Sequence, residues 1–283
     1  MSSDKNQRAN SAKETLNIIE QKSYTVKGKV ISLESAINQS MDETTFYNQH
    51  ALDELMIEVN QLLIDKNTET TIEVVNETSM QAGERLGHLE GKVGCLNFAS
   101  AKNPGGGFLG GAQAQEESLA RASTLYPTLL KFTKEMYDYN KKLNSYFYSD
   151  NMIYSPGVTF FKDDTGALLS QSYVMDILTS PAVNIGAMIQ NNCIAEVAKA
   201  EAVMMKRLDY VLGVFVANKV ERLVLGAWGC GVFKNDPKDI AKYFAYYLKK
   251  GGKYEKAFKH IVFAVLDRSK TQENINVFKT VLK

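Results

Sequence analysis

The chain has 283 residues, a formal net charge of +1, and is 45% hydrophobic and 23% charged. That is the composition of an ordinary globular protein, long enough to bury a full core as one large domain or two small ones. Near-neutral charge gives no argument for a nucleic-acid or membrane partner, and no apolar run approaches the roughly 18 residues of a membrane-spanning helix.

Residues 1–14 are polar and charged and lack the apolar stretch of a secretory signal. The first seventy residues read as a helical accessory region. Leu16, Ile18 and Ile19 share one face of a first helix, and Leu52, Leu55, Met56, Val59, Leu62 and Leu63 recur at helical spacing. Between them, 29–33 fits a short strand. From residue 70 the pattern changes. Residues 70–76 are rich in β-branched side chains and predict a strand, followed by a helix near 80–89. A buried strand at 93–99 runs into a glycine-rich loop, and the loop empties into a helix at 115–122 with acids in its first turn. Residues 152–158 and 173–178 are further strands, and 182–218 reads as one long, mostly helical stretch. A strong apolar strand at 222–228 enters a second glycine loop. Asp236 and Pro237 then suit the N-cap and first position of a helix ending at Lys249. A last strand at 260–266 and a short polar helix close the chain. There are no internal repeats or low-complexity linkers.

Strands alternating with helices predict a three-layer α/β/α fold. The expected organisation is an N-terminal helical extension over 1–69 packed on a core over 70–283, together one structural unit. Two glycine loops follow the C-terminal ends of two strands and precede helices. In open α/β sheets ligands bind at that edge, where helix N-termini present free amides to anions.

The first loop holds Gly105, Gly106 and Gly107, then a seven-residue spacer, then Gln115, Glu116 and Glu117. Taken alone, the glycines are a turn and the acids a solvated helix start. The run is neither a P-loop nor a dinucleotide fingerprint. Position favours a site, because the acids stand where a phosphate or sugar would rest. Neighbours on a helix point about 100° apart, so they cannot flank a sugar from opposite sides. If the site works on a sugar, one acid should move the proton and the other should orient the ligand. The second loop, 226–233, includes Gly229, Cys230, Gly231, Val232 and Phe233. Its glycines suit backbone amides wrapped around a diphosphate, and Phe233 is either core or a stacking surface for a ribose. Cys230 has no histidine near it in sequence and reads as a small buried thiol. The tyrosines of 137–148 read as helix packing, Ser155-Pro156-Gly157 as a turn, and the Lys-rich 249–259 as a solvated face. The three cysteines and three histidines are scattered, which argues against a disulfide scaffold or a zinc site. No metal or cofactor is expected. The compartment expected is reducing and intracellular: cytoplasm, or nucleus in a eukaryote.

Residues 97–107, followed by Gln115-Glu116-Glu117 and the 226–233 loop, closely resemble the microbial-type poly(ADP-ribose) glycohydrolases, which are catalytic macrodomains. Their signature is a triple glycine, a short spacer and Gln-Glu-Glu. The segments 152–158 and 262–267 carry weaker echoes, so the likeness runs from about Arg8 to Arg268. The resemblance implies a macrodomain with a mixed central sheet. It also implies exo-acting hydrolysis of the ribose–ribose O-glycosidic bond, with poly(ADP-ribose) or an ADP-ribosylated protein as substrate and ADP-ribose as product. By the same carry-over Glu117 is the catalytic acid and then base, and Glu116 holds ribose hydroxyls on the leaving side. Gln115 lies near the substrate, the 105–107 and 229–233 segments hold the diphosphate and distal ribose, and Asn103 touches a ribose. A monomer with no nucleic-acid or membrane partner is expected. The alternatives are a hydrolase of single ADP-ribose units, a macrodomain that binds ADP-ribose without cleaving it, and an interaction protein whose loops are merely turns.

Overall fold

The structure, a computed structural model, describes residues 2–283. Helix α1 (Ser2–Gln21) leads into an antiparallel hairpin, β1 (Ser23–Val26) and β2 (Lys29–Ser32), which stays outside the main sheet. Next come α2 (Glu34–Glu43), β3 (Thr45–Tyr47), α3 (Gln49–Ile64), β4 (Thr71–Val75), α4 (Ser79–Gly87) and β5 (Val93–Phe98). The first glycine loop, with a 3-10 turn at Phe108–Gly110, precedes α5 (Gln115–Ala122). Then follow α6 (Leu125–Leu130), a π-helical turn (Thr133–Asp138) and α7 (Tyr139–Lys142). Two long strands, β6 (Met152–Lys162) and β7 (Leu168–Ser180), lead to α8 (Ile185–Gln190), α9 (Ile194–Val197) and α10 (Ala200–Ala217). The chain ends with β8 (Arg222–Leu225), α11 (Pro237–Leu248), β9 (His260–Ala264) and α12 (Glu273–Leu282).

Seven strands form one mixed sheet in the order β3-β6-β7-β5-β8-β9-β4. It is parallel from β7 to β4 and antiparallel where β6 meets β7 and β3. Alternation along the central strands divides the core in two. Leu96, Leu223, Leu225, Ile261 and Phe263 face the layer that contains α3, α10, α11 and α12. Cys95, Val224 and Val262 face the layer that contains α4, α5 and α6. Side chains on a strand point to opposite faces in turn, and a parallel sheet must be covered on both, so these strands read as near-continuous apolar runs. The predicted three-layer α/β/α fold with a mixed central sheet is the fold observed. The first 69 residues share this framework: β3 is an edge strand paired with β6, and Leu52 and Val59 of α3 pack in the α10 layer.

Several local expectations change. Ser155-Pro156-Gly157 is not a turn but part of β6, where the register with β7 shifts between Ser155 and Val158. A bulge accommodates a proline that has no N–H for the ladder, and the Gly157 N–H goes instead to Asp176 Oδ1 at 2.9 Å. The stretch 182–218 is three helices, broken where Asn192 takes a left-handed conformation (φ 57°) and started at Asn184, whose side chain caps α8. The strand predicted to reach residue 228 stops at Leu225. Helix α12 is amphipathic rather than polar, burying Ile275, Phe278 and Leu282. The lysines of 249–259 are interleaved with buried Tyr254 and Phe258, and Lys253 pairs with Asp209 at 3.0 Å.

Candidate active site

The C-terminal ends of β5, β7 and β8 share one edge of the sheet. The segments leaving them enclose a cleft of about 440 Å³. The Ser180 carbonyl, at the end of β7, joins the other two. It accepts the Trp228 indole N–H at 3.2 Å and the Ala99 amide at 3.4 Å.

Gln115 fixes the helix that carries the acids. Its side-chain oxygen accepts the Phe98 amide at 2.8 Å, and its Nε2 donates to the Leu96 carbonyl, also at 2.8 Å. The amide thus bonds the strand on both sides of Asn97 and staples the start of α5 to the end of β5. Its role is to hold this junction, besides lining the cleft.

The two glutamates occupy different environments. Glu116 is only 3% exposed. Its carboxyl accepts the Ser100 amide at 2.6 Å and the Asn97 Nδ2 at 3.4 Å. Burial pushes its pKa up to about 8, aided by the neighbouring Glu117 charge and opposed by the Ser100, Asn97 and Gly105 hydrogen bonds. Glu117 is half-buried and accepts the Gly107 amide at 3.0 Å. Both carboxyls converge on Gly106. A Cβ there would lie 2.3 Å from Glu117 Oε1 and 3.0 Å from Glu116 Oε2, on a backbone at φ 62°. No side chain other than hydrogen fits that position with the acids where they are.

Asn103, Gly106 and Gly107 line the cleft, whereas Gly105 is turned away against the Phe108 ring. Across the cleft stand Gly229, Gly231, Val232 and Phe233. Val232 is 81% exposed. Phe233 lies against Tyr148, ring centroids 5.8 Å apart, and Tyr148 takes a hydrogen bond from Asn184 at 3.1 Å. Cys230 is not among the lining residues, and burial pushes its thiol up to about 12, so it stays protonated. Asn235 ties the loop together, donating to the Val183 carbonyl at 2.8 Å and the Gly229 carbonyl at 3.1 Å.

The sequence reading missed Asn97, Ser100, Ser180 and Asn235. Of these, buried Asn97 within an apolar strand was the one available signal, because a buried amide needs partners. Among the described residues, no group of three or more His, Cys, Asp or Glu is placed to hold a metal. No helix among them is long and apolar enough to cross a membrane.

The family model for the microbial-type PARG catalytic domain matches residues 12–163. The chain belongs to the microbial-type poly(ADP-ribose) glycohydrolases. No curated protein sequence matches it. The solved poly(ADP-ribose) glycohydrolase from Thermomonospora curvata is similar at TM-score 0.91 and 40% identity, over 98% of this chain and 99% of that one. The structure of that enzyme bound to the inhibitor ADP-HPD gives 0.88 and 40%, over 97% and 99%. The enzyme from Deinococcus radiodurans in complex with ADP-ribose gives 0.81 and 37%, over 92% and 99%. The fold is therefore macrodomain-like, and the chain is a glycosidase by family. In a microbial-type glycohydrolase, the cleft between the two glycine loops becomes the candidate site for an ADP-ribose unit.

Proposed function

We propose that this glycohydrolase cleaves the ribose–ribose O-glycosidic bond of poly(ADP-ribose), removing terminal units as ADP-ribose, with Glu117 as the proton-transfer residue. The observation that carries the reading is the convergence of two unequal carboxyl groups on Gly106 between the two glycine loops. Glycosidic cleavage passes through an oxocarbenium-like transition state, and the leaving oxygen must gain a proton. Glu117 lines the cleft, and its geometry is fixed by the Gly107 amide. It gives a proton to the leaving oxygen and, once ionised, takes one from the water that attacks the anomeric carbon. Burial raises the Glu116 pKa, so this carboxyl holds its proton at neutral pH. A proton is thereby held beside the carboxyl that faces the scissile bond. Glu116 also holds ribose hydroxyls on the leaving side.

In this reading the diphosphate lies against the backbone of 106–107 and 229–233. Gly105 supports the turn from behind, Asn103 contacts a ribose at the rim, and Phe233 packs on the distal ribose. Gln115 acts by positioning both acids.

The test is incubation with poly(ADP-ribose), reading out released ADP-ribose for the wild type and Glu117→Gln. Wild type should release ADP-ribose. The variant should lose about 10²–10⁴-fold in turnover, the usual worth of a general acid or base, while calorimetry still detects ADP-ribose binding. Retained turnover in Glu117→Gln would sink the assignment. Turnover on mono-modified protein but not on polymer would replace it with a hydrolase of single units.

A further inference from the structure

We propose that helix α1 is part of the catalytic apparatus, with Arg8 as a positioning residue that fixes the loop presenting Gly107 to Glu117. The proposal rests on the reading of Glu117 as the proton-transfer residue. Residues 108–114 separate the triple glycine from the acids, and their shape decides whether the Gly107 amide meets Glu117. That shape is not self-supporting. Locally the loop is closed by the 3-10 turn, by bonds from the Ala112 amide to the Gly107 carbonyl at 3.1 Å and from the Phe108 amide to the Gly105 carbonyl at 3.4 Å, and by Ser118 Oγ donating to the Ala114 carbonyl at 3.0 Å. The rest of its support comes from behind, on the side away from the cleft.

Two guanidinium groups hold successive carbonyls of the loop. Arg8 Nε donates to the Gly111 carbonyl at 2.8 Å. Arg121, 7% exposed and one helical turn beyond Glu117, donates to the Ala112 carbonyl and to the Gln113 side-chain oxygen, each at 2.6 Å. Burial and the neighbouring Arg8 charge both lower the Arg121 pKa, and the Glu117 charge opposes them. Two cations are thus held near each other against their repulsion, which requires strong acceptors on both. Phe108 packs with Ala12 of α1 and Ala120 of α5, and Leu16 closes the same cluster. Gly111 completes the fit. Its φ is 76°, and a Cβ would stand 2.2 Å from the Lys5 carbonyl, so the glycine admits the backbone of α1 against the loop. Gly111 is thus accounted for by its contact with α1.

Arg8 is separable from the anchoring of α1 itself. Lower on the helix, Thr15 donates to the Arg121 carbonyl, and Lys162 pairs with Glu14 at 2.8 Å and donates to the Ser11 carbonyl at 2.9 Å. Those contacts stay when the Arg8 guanidinium is removed.

The experiment compares Arg8→Ala and Arg8→Lys with the wild type in the full-length protein. Three readouts are used: backbone hydrogen exchange over 106–112, kcat and KM on poly(ADP-ribose), and melting temperature. Arg8→Ala should speed exchange at the Gly107 and Ala112 amides about tenfold while β5 stays protected, since the opening is local. It should lower kcat about tenfold with KM within about twofold, the pattern of an interaction needed only in the transition state. Arg8→Lys should recover part of both, because an ammonium still reaches a carbonyl. Unchanged exchange at those amides would overturn the proposal. So would a kcat loss that merely tracks a lowered melting temperature and vanishes on cooling. If wild type showed no turnover, the functional reading would fall, while the exchange arm would still decide whether Arg8 holds the loop.

Discussion

The two glycine loops look alike in sequence and are held in different ways. The segment after β5 is bound from every side: Gln115 spans the strand end, Ser100 and Gly107 each give an amide to a glutamate, and α1 braces the back. The segment after β8 is tied by Trp228 and Asn235 and by backbone bonds from Cys230 to Ala227 and from Gly186 to Phe233, while its tip is open, with Val232 81% exposed and open space around Gly231. Reacting groups need geometry held before substrate arrives, because misplacement directly costs rate. A recognition surface gains from amides left unpaired until a ligand takes them.

Gly106→Ala breaks this contrast most sharply. The new methyl meets the far ends of two carboxyl side chains rather than backbone, so the fold should survive while both acids move. Turnover should fall by about 10²-fold or more, with a stability loss of roughly 1–3 kcal/mol from the left-handed backbone. Kinetics and thermal melting together check it, and near-normal kcat would mean that the acids need no fixed positions.

The pH dependence of stability sharpens the comparison next. Glu116 has a folded-state pKa near 8 against an ordinary 4.5, so the folded protein binds the extra proton between those values. Its contribution is fully present below about pH 4.5, is lost as pH rises through about 8, and amounts to a few kcal/mol at most. Denaturant titrations from pH 5 to 9 should show wild type losing stability relative to Glu116→Gln. Parallel curves would contradict burial of an ionisable acid there.

Phe233→Ala tests the second loop with the smallest effect. It should weaken ADP-ribose binding about tenfold by calorimetry and leave saturated kcat within about threefold. Equal losses in both would erase the division between a loop that reacts and a loop that binds.

Much of the fold was legible. The apolar runs at 93–99, 222–228 and 260–266 marked buried parallel strands, and Asp236 with Pro237 fixed the start of α11. What escaped was short or depended on a partner. The three residues of β3 become a strand only because β6 offers an edge. The break at Asn191–Asn192 was a turn signal overridden by the apolar length around it. At the site, the two loops and the Gln-Glu-Glu segment could be read because glycine runs and adjacent acids stand out locally. Asn235, Ser180 and Arg8 could not, since each depends on a hydrogen-bond partner from a remote part of the chain: Asn235 and Arg8 donate to carbonyls, and the Ser180 carbonyl accepts the Trp228 indole N–H.

The sequence alone therefore determined the layered α/β plan, the sheet edge that carries the site and the family. Strand periodicity and the spacing of the motif are local properties. The tertiary structure decided which acid is buried, which glycines face the cleft, and that α1 stands behind the first glycine loop. Desolvation and long-range hydrogen bonds exist only once distant segments have met.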